Sequence, residues 1–148
     1  GVWVPNRNIP REEGRKTYLS IEKHQRNSRN NHAKWVSQDR EIEVFDAADY
    51  GAFLKEEGHE SWEVDGNLWG FMKEQGDVLT VGTESQQFGF FPKPQNETDD
   101  WHGYPIMPNA KGNQIEKYNI DKSLLERWVQ DGHLTQQQVT IIIRGKLL

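Results

Sequence analysis

The chain has no cysteine, which excludes disulfides, thiolate nucleophiles and Cys-based zinc sites. That composition fits a reducing compartment, and the cytoplasm is the expected location. Long apolar runs are missing too. No stretch approaches the roughly 18 residues of a membrane span, and the opening GVWVPNRNIP lacks the apolar core of a secretory signal, so no membrane association is expected. An initiating Met is absent, and the expectation is a fragment of a longer protein or a processed chain. Neither GTESQQFG nor GNLWGFM fits a P-loop or a dinucleotide-binding pattern, and no G-x-S-x-G or H-E-x-x-H sequence occurs. Enzymes with a common motif are therefore disfavoured, and no motif names a reaction.

The hydrophobic fraction of 34% and mean hydropathy of -0.93 are low for a folded domain. Six Trp, six Phe and four Tyr compensate, because each buried aromatic removes about 150 to 250 Å² from water. At 148 residues the reading is one domain with an aromatic core, without repeats. Charge is uneven along it: residues 1–40 carry nine Lys/Arg against four Asp/Glu, whereas the net charge of the whole is -5. A basic leading part either lies against the acidic remainder or meets an anionic partner.

Residues 1–16 show no period of 2 or 3.6 and read as an irregular arm. TYLSIEK, from Thr17, alternates, with Tyr18 and Ser20 on one face, and reads as a strand. Residues 24–34 read as an exposed polar loop, followed by a short strand at Trp35. EIEVF, residues 41–45, also reads as a strand. A helix over 47–57 is expected next, with Asp46 as N-cap, Phe45 stapled to Tyr50, and Gly58 ending it. Asp65-Gly66 suits a type I′ hairpin turn, and antiparallel strands are expected onward to Phe91.

Residues 92–118 read as an aromatic, proline-rich loop. The last segment, 119–148, reads as a helical hairpin: Asp121 caps one helix, and Thr135 with Gln138 forms a capping box for the second. The predicted class is thus α+β, a mainly antiparallel sheet with one packed helix and a C-terminal helical hairpin.

The candidate site is centred on Trp101-His102-Gly103-Tyr104-Pro105. Phe90, Trp101 and Tyr104 would give a ligand contact area at little entropic cost, and Asp100 and His102 would orient it. This predicts a ligand- or protein-binding module, its partner an unknown protein or small molecule. The alternative is a metal-independent RNase or phosphodiesterase: His102 with His24 or His32 as acid and base, and Arg26, Arg29 and Lys34 holding the phosphate. Cations interleaved with aromatics make segment 23–40 the route for nucleic acid. A second alternative is DNA binding through the C-terminal helix pair, with Gln136, Gln137 and Gln138 reading bases. Asp99, Asp100 and His102 fall short of the four convergent ligands of a structural metal site, so no metal and no cofactor are expected.

Overall fold

The computed structural model describes residues 4–26, 28, 32–55, 59–110 and 116–148. In chain order they form β1 (Arg7–Ile9), β2 (Tyr18–Ser20), α1 (Gln38–Tyr50), β3 (Glu63–Val64), β4 (Asn67–Gly70), β5 (Lys73–Glu74), β6 (Asp77–Val78), β7 (Phe88–Phe91), β8 (Tyr104–Ile106), α2 (Lys122–Gln130) and α3 (Gln136–Ile143). Short 3₁₀ turns lie at Glu22–His24 and Glu116–Tyr118. The fold is α+β. Four strands make one antiparallel sheet in the order β3-β4-β7-β8, α1 packs on it, and α2 contacts α3. None of the described helices is long and apolar enough to cross a membrane.

Asp65 and Gly66 both have positive φ, 53° and 85°, which is what a type I′ turn between β3 and β4 demands. Gln75 and Gly76 do the same between β5 and β6. Alternation then sends Phe88 and Phe90 of β7 to one face of the sheet and Phe91 to the other. The first two share a buried cluster with Trp69, Leu124, Leu125 and Trp128. Phe91 joins Leu68, Trp35, Val44 and Phe45 beneath α1. Each such side chain stabilises the fold by about 1.5–3 kcal/mol.

Gly70 and Gly89 are partners across β4 and β7, and together they let the helix approach. A Cβ on Gly70 would overlap the Val44 carbonyl, and one on Gly89 would meet the Trp35 indole.

The helix differs from the sequence expectation. It spans Gln38–Tyr50 rather than 47–57, and EIEVF lies within it rather than in a strand. Ser37 is the cap, its side chain accepting from the Arg40 amide at 3.1 Å, and Gly51, at φ 65°, ends the helix. Asp46 is an interior residue that binds Arg11 at 2.8 Å. Expected helix residues 56–58 lie outside the described residues, and Leu54 is exposed.

The arm, described from Val4, carries regular structure. β1 pairs with β2, and Arg11 binds Asp49 at 2.7 Å as well as Asp46. Lys16 reaches the other oxygen of Asp49 at 3.2 Å. The excess positive charge of this part is thus partly spent on α1.

The expected loop over 92–118 contains β8, an edge strand with Pro105 at its centre. Its approach is fixed by Trp101, whose amide donates to the Thr17 carbonyl and whose carbonyl accepts from the Leu19 amide, both at 2.8 Å. The helical hairpin lies where the caps place it. Asp121 accepts from the Ser123 amide, and the box between Thr135 and Gln138 is closed in both directions.

Candidate functional site

The polar segment after β2 is not a free loop. His24 is 5% exposed, Gln25 1% and Lys34 8%, so buried polar side chains pin a segment expected to be an exposed loop. Each finds a partner in the backbone, as a buried polar group must. The His24 Nδ1–H donates to the Ala33 carbonyl at 2.8 Å, Gln25 donates to the Val4 carbonyl at 2.9 Å, and the Lys34 ammonium donates to the His32 carbonyl.

This pinning lays the basic segment on the aromatic turn. The His24 ring stacks on Tyr104 with centroids 5.1 Å apart and planes 29° from parallel. His32 sits edge-on to His24 at 5.5 Å. Two histidines of the segment and the Trp101–Tyr104 turn are therefore neighbours, although some eighty residues separate them in sequence.

The turn is held from below. Trp35 Nε1–H donates to the Gly103 carbonyl at 3.2 Å, and a Cβ on Gly103 would collide with the Phe90 carbonyl and the Phe91 ring. Tyr104 and Tyr118 share a hydrogen bond at 2.5 Å between their hydroxyls. Burial and that bond push the Tyr104 hydroxyl far above the ordinary phenol range. Phe90 is fully buried against Trp69 and Tyr118, so it shapes the surface from beneath and is not available for direct ligand contact. Trp101 is half-buried, with Phe45 on one side at 6.4 Å and the Lys16 ammonium 5.8 Å from its ring centre.

Electrostatically the two imidazoles behave alike. Burial pushes His24 down to about 4, and the positive charge of Lys23 adds to the effect. Burial followed by Lys23 also lowers His102. Both rings are thus neutral at pH 7. With Nδ1 of His24 donating to Ala33, its Nε2 carries the lone pair. Nδ1 of His102 is buried and has no hydrogen-bond partner among the described residues.

The remaining candidates are spread out. Arg26 is exposed, Arg29 lies outside the described residues, and Asp100 is half-buried beside Trp101. Among the described residues no group of three or more His, Asp or Glu is arranged to hold a metal ion. In the C-terminal pair, Gln136 and Gln137 are exposed, but the Gln138 side chain accepts from the Thr135 amide at 2.9 Å and is occupied by the cap.

Sequence reasoning missed Lys23, Tyr118 and one buried acid. Glu41 is 1% exposed and accepts hydrogen bonds from Tyr18 at 2.6 Å and Ser20 at 2.7 Å. Burial pushes its carboxyl up to about 7, against the pull of those two hydroxyls. The shared face of Tyr18 and Ser20 was the available signal, since two hydroxyls pointing inward require an acceptor. Glu41 is thus part of the core, held by two hydroxyls.

Cavities among the described residues lie elsewhere. One of about 460 Å³ is lined by Asp65, Asn67, Trp69, Lys117 and Asp121, and an apolar groove of about 330 Å³ runs along α2 and α3 past Leu125, Val129 and Ile143. Comparison with protein-family models, with curated proteins and with solved structures gives no match.

Proposed function

We propose that the protein is a binding module whose recognition surface is the Trp101–Tyr104 turn together with the basic segment lying on it. The observation that carries this reading is the stacking of His24 on Tyr104, because it joins the basic segment and the aromatic turn into one surface. A surface of this kind is preorganised: backbone hydrogen bonds from Trp35 and Trp101 fix the turn before a ligand arrives, which lowers the entropic cost of binding. Its polar groups are neutral imidazoles flanked by lysine, so it has donors, acceptors and positive charge within one patch. A cysteine-free chain suits the cytoplasm, and we place the module there.

RNA cleavage is the second reading, favoured by the same approach of His24 to His32. Cleavage by a histidine pair needs one imidazole protonated to donate to the leaving oxygen, and both His24 and His102 are held neutral. Recognition is therefore the better-supported function.

The test follows the imidazole nitrogens by two-dimensional NMR while the intact protein is titrated with a panel: inorganic phosphate, a short oligouridylate, an acidic peptide and a neutral oligosaccharide. Shifts at His24 and His102 with any of them support the reading, and silence at both rings throughout discards it. Oligouridylate cleavage in EDTA that disappears in His102→Ala would move the assignment from recognition to catalysis.

A further inference from the structure

The geometry points to a more specific ligand: we propose that the patch bounded by Lys23, His24, His32 and His102 binds a phosphate-class anion, carried as a phosphate ester. The proposal rests on the recognition reading above and gives it a ligand class.

Three features of the patch converge on negative charge. First, Lys23 lies within electrostatic range of both His24 and His102, and among the described residues no carboxylate is among the charges acting on either ring. Lys23 is therefore a positive charge shared by two neutral imidazoles, and an anion complements it. Second, one imidazole nitrogen is left without a partner among the described residues and another keeps its lone pair. Nδ1 of His102 is buried without a hydrogen bond among the described residues, and the lone pair of His24 sits on the ring edge not used by Ala33. Beside a bound anion each imidazole gains a proton and becomes a donor on both nitrogens, giving charge-assisted hydrogen bonds. Third, the His24 ring is held in place. His24 is fixed by the Ala33 carbonyl and by Tyr104, and Tyr104 in turn by Tyr118.

A metal cation is the obvious competitor for neutral imidazoles. Lys23 decides against it, since the ammonium that repels a proton from His24 and His102 repels a divalent cation twice as strongly. The same charge attracts phosphate.

The experiment titrates the full chain with inorganic phosphate, a nucleoside monophosphate and a short oligouridylate, which separate free phosphate, monoester and diester as sources. The expected result is a downfield, protonation-type change at the His24 and His102 nitrogens with at least one of the three. Lys23→Gln, an exposed position that leaves the core untouched, should weaken that binding at least about tenfold, the scale of one charge-assisted hydrogen bond. Lys146→Gln, which removes the same charge at the C-terminus, should leave it unchanged. Equal loss in both lysine variants overturns the proposal, since binding would then follow net charge alone. Response to the acidic peptide or oligosaccharide but to none of the phosphates overturns the phosphate class and leaves the recognition surface standing. No response to any ligand removes both, and a Zn²⁺-specific response in place of the phosphate response also overturns the proposal.

Discussion

The Tyr18 hydroxyl donates to a carboxylate oxygen of Glu41 at 2.6 Å inside the core, tying β2 to the first turns of α1. A chain of donors continues from it: Gln38 donates to the Ser20 hydroxyl at 3.0 Å, and Ser20 donates to the other oxygen of Glu41. Tyr18→Phe removes one donor while keeping the ring against Phe45 and Phe91. The Glu41 carboxyl should then titrate above its present value of about 7. Stability at pH 8 should fall by about 1–3 kcal/mol. Carboxyl ¹³C titration and urea unfolding check the two halves, and an unmoved Glu41 midpoint would show that the hydroxyl contributes nothing to holding the acid.

Glu41 and His24 also set opposing pH dependences. The Glu41 carboxyl rises from 4.5 to about 7 on folding, so its contribution to stability is full below pH 4.5 and is lost as pH climbs through 7. His24 falls from 6.5 to about 4, so the folded state loses stability as pH drops through that interval. Between pH 4.5 and 6.5 the two slopes oppose each other. Removing the acid with Glu41→Gln should therefore expose the histidine slope, up to about 1.4 kcal/mol per pH unit. Urea midpoints measured over that range should rise with pH in the variant more steeply than in the parent, and parallel curves would refute the assignment.

Arg11 is the clasp of the amino-terminal hairpin. Its guanidinium bridges Asp46 and Asp49, and the Asp49 side chain is only 2% exposed. Arg11→Ala should cost about 3–5 kcal/mol, because it leaves a buried carboxylate with Lys16 alone. Amide exchange should quicken in β1 and β2 ahead of the central sheet. Uniform quickening across both would mean that the hairpin is not a separate unit.

The close approach of α1 to the sheet makes Gly70 intolerant of a side chain. Gly70→Ala should lower stability by about 1–3 kcal/mol by overpacking. Trimming Val44 to Ala should not rescue it, since the overlap is chiefly with the Val44 carbonyl. Thermal unfolding of the two variants and their combination is the measurement, and full rescue would place the clash at the side chain.

The parts of the fold legible in the sequence were those fixed by local chemistry. Asp65-Gly66 turns because two successive residues must take positive φ, and Thr135 with Gln138 caps because both groups lie within one turn. That box also resolves VTIII as helix despite its β-branched run. α1 was hidden because its buried face includes Gln38, Glu41 and Asp49 alongside Val44 and Phe45. Three polar residues on the inward side erase the apolar period that marks a helix, and their partners, Tyr18, Ser20 and Arg11, are remote in sequence. β8 was hidden by Pro105, which reads as a loop residue unless the strand is known to lie at an edge.

The candidate site divides in the same way. The turn at Trp101–Tyr104 stood out by composition, but its contact with His24 depends on a tertiary approach that no local pattern encodes. Phe90 could not be told from a surface aromatic, because burial depends on what covers a strand rather than on the strand itself.

Pro105 has one more effect. An incoming chain that tried to extend the sheet beyond β8 would find a donor missing at the middle of a three-residue margin, since proline has no N–H to offer. The opposite margin, β3, is two residues long and too short to template a neighbour. Both borders thus discourage polymerisation, even though the strands between them carry Trp69, Phe88, Phe90 and Phe91 in a sequence that would otherwise invite it.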